Sequence, residues 1–170
     1  MKTVSAKKSD LLSETINAAL ASSSDVPADC NPKIARLVDY WFSLCEGESL
    51  PGRKDIDPID IPDLLPSIRL LDIEGDPPRF RVRLTGDKVR NHFGSTNVGD
   101  FLDEIVEDFE SRESYANCMM AIAERRPVWH RGICDLNPDR DFVPLERVIA
   151  PLASDRATVD GIIIVSIYAS

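Results

Sequence analysis

The sequence lacks any long apolar run. No stretch approaches the roughly 20 apolar residues that a membrane-spanning helix needs. Residues 1–10 contain lysines, but no apolar segment of the signal-peptide type follows them. We therefore expect a cytoplasmic protein that has no membrane partner.

Cysteine and positive charge are also scarce. The four cysteines, Cys30, Cys45, Cys118 and Cys134, have no framework spacing, so we expect no structural disulfides. The 29 aspartates and glutamates outnumber the 20 lysines and arginines, which gives a formal charge of −9. Because nucleic-acid binders draw affinity from neutralised phosphates, nucleic acid is not an expected partner.

Motifs that mark common enzymes are missing. There is no Walker-type phosphate loop, dinucleotide glycine fingerprint, nucleophile elbow or HExxH motif. One enzyme hypothesis remains, a small hydrolase or isomerase that uses His92 or His130 with Asp135. His130 and Cys134 lie four apart on a predicted strand, about 13 Å from each other, which is too far to share a metal ion. We expect no metal site and no catalytic residue. The sequence does not identify a cofactor.

The chain does contain a clear amphipathic helix after a polar start. Residues 1–30 are predicted to be a mobile arm that becomes helical on docking. Asn31 is a residue type that caps the N-terminus of a helix, and Pro32 is common in the first turn. Gly47 suits the position where the helix ends. The apolar face of this helix either packs on the chain's own sheet or forms an interface with a second copy or a signalling partner. The interface candidates are Ile34, Leu37, Val38, Trp41 and Phe42.

Five strand patterns follow, in the order strand, strand, helices, strand, strand, strand. Residues 68–73 and 79–85 are joined by a turn and predict a hairpin. The second alternates, with Phe80, Val82 and Leu84 on one face and Arg79, Arg81 and Arg83 on the other.

Residues 100–124 have helical spacing, and the last three strands are predicted at residues 128–134, 142–152 and 161–168. The last strand is apolar on both faces, so it should be central in the sheet. We therefore predict an α+β fold, a single domain over residues 31–170 whose five-stranded antiparallel sheet carries helices on one face and an N-terminal amphipathic helix.

This order resembles a PAS domain, and short motifs between residues 34 and 168 resemble the bacterial PAS-like family often called PAS_5. The motifs are Tyr40-Trp41, Leu50-Pro51-Gly52-Arg53, Asp55-Ile56-Asp57-Pro58, Leu64-Leu65-Pro66, Phe80-Arg81-Val82-Arg83-Leu84-Thr85-Gly86 and Gly94-Ser95-Thr96-Asn97-Val98-Gly99. The resemblance implies a stand-alone sensory or interaction module without catalysis. Asp87 and Asp100 depart from the family's pattern and argue against an anionic ligand near those loops.

Two functions follow from this interpretation. In the first, a small molecule binds in a pocket between the sheet and the helices of residues 101–122. The pocket candidates are Arg83, His92, Tyr115, Met119, Trp129, His130, Ile133 and Ile164. In the second, the core is solid, and the chain is a homodimeric interaction module that docks through its N-terminal helix.

Overall fold

One antiparallel sheet organises the chain. The computed structural model describes residues 21–134 and 143–169. Six strands follow the order β1-β4-β5-β6-β2-β3 across the sheet. The strands are β1 (Ala21–Ser23), β2 (Ile68–Glu74), β3 (Arg79–Thr85), β4 (Val128–Ile133), β5 (Pro144–Leu152) and β6 (Gly161–Tyr168). The helices are α1 (Pro32–Leu44), α2 (Asp87–Phe93), α3 (Leu102–Ile105) and α4 (Glu113–Glu124). The predicted α+β fold is confirmed.

Strand β6 is the middle one of the five predicted strands, as its composition indicates. It pairs with β5 on one side and with β2 on the other. Ile163 and Val165 pack in the core on one face of the sheet, whereas Ile162 and Ile164 pack in the core on the opposite face. Burial on both faces explains why the strand carries no polar alternation.

Helix α1 covers one face of the sheet. It begins where predicted, because the Asn31 side chain accepts a hydrogen bond from the Lys33 backbone N–H at 2.9 Å and Pro32 occupies the first turn. It ends at Leu44, before the predicted stop. The Trp41 indole N–H donates to the Pro151 carbonyl of β5 at 2.7 Å, which fixes the helix on the sheet.

Helices α2, α3 and α4 belong to the opposite face. Leu102 of α3 and Cys118 and Ala121 of α4 pack with Ile149 and Ile164 of the sheet in one apolar core. Helix α2 follows β3 directly and was not predicted as a helix. The cavity described below lies between these helices and the central strands.

Strand β1 lies within the segment predicted as an N-terminal arm and is not one of the five predicted strands. Residues 21–23 pair with β4, with Ala21 opposite Arg131, and extend the sheet by a sixth strand. Residues 1–20 lie outside the described residues, as does the turn predicted at residues 137–139. No helix in the described parts of the chain is long and apolar enough to cross a membrane.

A bulge in β3 corrects the predicted face of Leu84. Leu71 pairs with Val82, but the next residue, Leu70, pairs with Leu84, so Arg83 is the extra residue. An extra residue reverses the side-chain alternation beyond it. Leu84 therefore shares the face of Leu70, on the α1 side of the sheet, and is exposed there.

Candidate functional site

A small cavity lies between the central strands and helices α2 to α4. Its volume is about 30 Å³, and its lining includes Ile164 and Ser166 of β6, Val89 of α2 and Cys118 of α4. We call it the inner cavity. A water-sized group needs roughly 10–15 Å³ of such volume, so the inner cavity has room for about two of them.

Two buried arginines line the inner cavity. Arg69 of β2 is 4% exposed and Arg147 of β5 is 3% exposed. Arg69 pairs across the sheet with Ile164, and Arg147 pairs with Ser166, so both side chains rise from the sheet face that the helices cover. The register of β6 therefore places one cation on each side of the cavity floor.

The Arg69 guanidinium is short of acceptors. It lies over the Phe93 ring at 4.6 Å from the ring centroid, and its Nε and Nη2 atoms find no hydrogen-bond acceptor within residues 21–134 and 143–169. Burial lowers the pKa of Arg69 below its usual value, because desolvation disfavours the charged form. A guanidinium nevertheless stays charged at neutral pH, so the cavity wall holds a cation with spare donors.

Tyr168 and Cys134 form part of the cavity wall, and His92 contacts both of these side chains. The Tyr168 and His92 rings stack at 3.9 Å between centroids, and His92 Nε2 lies 3.4 Å from Cys134 Sγ. Desolvation raises the pKa of Tyr168 to about 12, so its phenol is neutral at physiological pH. Tyr168 and Cys134 line the inner cavity, whereas His92 lies behind them.

A wider depression adjoins the inner cavity. Its volume is about 510 Å³, and it shares Ser166 and Tyr168 with the inner cavity. We call it the outer groove. Lys33, at the start of α1, and Lys88, in α2, line it, and the proximity of Lys33 lowers the pKa of Lys88. Like the inner cavity, the outer groove therefore presents positive charge.

Comparison with protein families identifies the fold. The profile of PAS_5, a PAS domain family, matches residues 30–164. The chain belongs to this family. Comparison with curated proteins gives no match.

Similar solved structures include other PAS and light-oxygen-voltage (LOV) domains. A light-oxygen-voltage domain studied with a flavin analogue has a TM-score of 0.44 and 13% identity, and the match covers 65% of this chain and 82% of that one. A PAS domain from Colwellia psychrerythraea has a TM-score of 0.44 and 7% identity, with coverages of 66% and 98%. The LOV protein of Rhodobacter sphaeroides has a TM-score of 0.43 and 13% identity, with coverages of 68% and 69%. At these identities no ligand or residue role transfers to this PAS domain.

The predicted pocket residues are spread over the domain. Ile164 lines the inner cavity and His92 lines the outer groove. Tyr115 packs edge-on against Phe80, with 6.2 Å between ring centroids, and Met119 packs against the same core. His130 is buried on β4. The structure therefore brings only part of the predicted pocket together.

Three pocket candidates lie away from both cavities. Arg83 is a surface residue of β3, with 55% of its side chain exposed, and pairs with Asp72 at 3.4 Å. Trp129 belongs to the core on the α1 side, where its indole N–H donates to Glu146 at 2.9 Å. Ile133, at the end of β4, is 45% exposed. None of these three side chains lines the inner cavity or the outer groove, so their place in a pocket stays a prediction.

The interface candidates on α1 divide in two groups. Ile34, Leu37 and Trp41 are fully buried against the chain's own sheet, so they are core residues and cannot contact a partner in this fold. Val38 packs partly against the same core. Phe42 is 48% exposed and is the candidate that a second chain could reach.

Two residues that the motifs do not single out, Arg69 and Arg147, give this PAS domain its cavity charge. Arg69 shares the face of Leu71, and Arg147 shares the face of Leu145 and Ile149. A charged residue at an inward position of a strand is a signal that the sequence does contain. Within the described residues, no three His, Cys, Asp or Glu side chains group as metal ligands.

Proposed function

We propose that this PAS domain is a sensory module that binds a small molecule in the inner cavity and acts without catalysis. One observation carries the proposal: the buried Arg69 guanidinium lines the inner cavity, and two of its donors find no acceptor among the described residues. A solid core gains nothing from an arginine there, because burying a charged group without acceptors is unfavourable. A bound molecule that accepts hydrogen bonds would offset this cost.

The cavity surroundings support the same proposal. Ligand pockets combine apolar lining with a few polar groups that fix orientation. Val89, Leu102 and Ile149 supply apolar lining, and Arg69, Ser166 and Tyr168 supply the polar groups. The outer groove lies next to the inner cavity, because Ser166 and Tyr168 line both.

A binding screen against a blocked variant tests this function. Ser166→Leu places a bulky side chain where the inner cavity meets the outer groove, and Ser43→Leu makes the same change on the exposed side of α1. A ligand at 100 times its Kd stabilises a protein by about 2.7 kcal/mol, which raises Tm by several degrees. We expect at least one compound in a mixed neutral, cationic and anionic library to stabilise the wild type and Ser43→Leu, but not Ser166→Leu. If no compound separates the two variants, the proposal is wrong.

We also propose that the module works in a bacterial cytoplasm. Cys30, Cys45, Cys118 and Cys134 form no disulfide bond with one another, which is the state that a reducing compartment maintains. The family resemblance of the sequence motifs supports the bacterial source. Cell fractionation of a tagged full chain should place it in the cytoplasmic fraction, and recovery in the membrane or secreted fraction would contradict this assignment.

Self-association is a second candidate function, favoured by Phe42. This aromatic ring is 48% exposed, beside the buried Trp41 ring at 5.0 Å between centroids. We propose that Phe42 contributes to the interface of a homodimer. The same exposed side of α1 is available to a signalling partner. Light scattering on the wild type should give a dimer mass, and Phe42→Asp should give a folded monomer. A wild-type monomer at all concentrations would contradict the homodimer.

A further inference from the structure

The two cavities share one sign of charge, although the protein as a whole is acidic. Arg69 and Arg147 line the inner cavity, and Lys33 and Lys88 line the outer groove. No aspartate or glutamate within residues 21–134 and 143–169 lines either space. In a chain of formal charge −9, this concentration of cations favours an anion over a neutral or cationic ligand.

We infer that the inner cavity binds the carboxylate of a small organic acid, with Arg69 as its principal partner and the body of the acid in the outer groove. This inference rests on the proposed function and names the ligand class for the same site. A carboxylate provides two acceptor oxygens in one plane, and the guanidinium fork donates to both at once. Among the described residues, Arg69 Nε and Nη2 find no hydrogen-bond acceptor, so both are open to a ligand.

The size of the inner cavity favours a carboxylate over a larger oxyanion. Its volume of about 30 Å³ suits two water-sized groups, which matches two carboxylate oxygens. A tetrahedral phosphate or sulfate presents four oxygens around one centre and fits this space less well. The carbon chain of the acid would extend past Ser166 and Tyr168 into the outer groove, which has a volume of about 510 Å³.

The acidic residues that depart from the family pattern do not oppose this inference. Asp87 begins α2, is 77% exposed in its side chain and pairs with Arg90 at 3.4 Å. Asp100 lies beside β3, where its carbonyl accepts from the Val82 N–H at 2.9 Å. Neither residue lines the inner cavity or the outer groove, so neither meets the proposed carboxylate.

The test is calorimetric titration of the full chain with sodium acetate and sodium benzoate at constant ionic strength. Acetamide and benzamide are the neutral counterparts, and sodium nitrate, phosphate and chloride are the inorganic anions. The variant is Arg69→Met, which keeps an apolar stem beside Phe93. The matched control is Arg83→Met, which removes a surface arginine from the neighbouring strand.

We expect saturable binding of at least one carboxylate below about 10 mM, within the millimolar range of weak ligands, and no binding of its amide. Arg69→Met should weaken the carboxylate at least about tenfold, because it removes a charge-assisted pair. Arg83→Met should leave the affinity unchanged.

Four results would overturn the inference. The first is that neither carboxylate binds, and the second is that Arg69→Met binds a carboxylate as tightly as the wild type does. The third is that the amides bind as tightly as the carboxylates, and the fourth is that the inorganic anions do so.

Failure of the inference is distinguishable from failure of the proposed function. If the library screen finds a neutral ligand that Ser166→Leu excludes, the sensory cavity stands and only the carboxylate assignment is wrong.

Discussion

Arg69 and Arg83 are arginines on neighbouring strands with opposite surroundings. Arg83 lies at the surface beside Asp72, where water solvates both charges. Arg69 is 4% exposed and lines a cavity that holds no carboxylate from the described residues. Burial, and not residue type, therefore decides which of the two arginines is a candidate for ligand binding.

The sequence separates these two arginines only in part. Strand alternation places Arg69 on the same face as Leu71, which is an inward position. Arg83 stands in a run of three alternating arginines and attracts attention as a pocket residue. Which face the helices cover depends on how the elements pack, and the bulge at Arg83 breaks the alternation in β3. Alternation alone therefore does not single out Arg69 as the arginine that lines the inner cavity.

The first prediction concerns the stability of ligand-free Arg69→Met. Removal of a buried cation whose Nε and Nη2 find no acceptor among the described residues should raise the free energy of unfolding by about 1 kcal/mol, because buried charges are often replaced by apolar groups with a gain in stability. The measurement is urea unfolding in buffer without organic acids. Arg83→Met, at the surface, should change the free energy of unfolding by less than about 0.5 kcal/mol. A loss of stability in Arg69→Met would show that the guanidinium has protein partners.

At the scale of elements, α2 is the helix that positions the cavity wall and the one that the sequence did not reveal. It is seven residues long, from Asp87 to Phe93, and its apolar pair Val89 and Phe93 is too short a pattern to establish helical spacing. The strands at residues 79–85 and 161–168 were predicted with their observed bounds. They combine a strong apolar pattern with clear turn residues on both sides.

Gly86 explains how α2 joins the sheet. A Cβ at this position would collide with the Leu65 carbonyl oxygen and lie 2.6 Å from the Pro66 carbonyl oxygen. The Gly86 N–H donates to the Ile68 carbonyl at 2.7 Å. The backbone of α2 therefore approaches the turn before β2 more closely than any side chain allows.

The second prediction follows from this contact. Gly86→Ala should lower the free energy of unfolding by about 2 kcal/mol or more, since the backbone oxygens cannot move aside without shifting β2. Gly47→Ala is the matched control. Gly47 has φ +62° and open space around it, so its substitution should cost only about 1 kcal/mol of backbone strain. Equal losses in thermal or urea unfolding would contradict the close approach.

At the scale of the whole molecule, the sheet separates two regions of different chemistry. The core on the α1 side is apolar and is tied to the sheet by Trp41 and Pro151. The opposite side holds the charged cavity. The central position of β6 was predictable from composition, because a strand apolar on both faces must be covered on both. Composition does not predict which helix covers which face, since that depends on contacts between residues that are distant in the sequence.

Surface ion pairs surround this architecture and predict its response to acid. Arg79 donates to Asp103 at 2.7 Å and lowers the pKa of that carboxyl below its usual 3.8. Because the folded-state pKa lies below the unfolded value, Asp103 stabilises the fold above that value. The contribution is lost as pH falls through the folded-state pKa.

The third prediction is that the difference in stability between wild type and Asp103→Asn is largest at neutral pH and shrinks below about pH 4. Urea unfolding of both proteins at a series of pH values measures this difference in stability. The effect should be small and should weaken at about 1 M salt, because the pair is exposed to solvent. A difference that does not change with pH would contradict the role of this pair.

The central claim is that Arg69 holds a carboxylate inside the PAS domain. The most direct measurement is a heteronuclear NMR titration of the arginine Nε–Hε signals with sodium acetate, with the Arg69 signal assigned from its loss in Arg69→Met. We predict a saturable shift of that signal that acetamide does not produce and that Ser166→Leu prevents. A signal that does not move, or that moves equally with acetamide, would contradict the account.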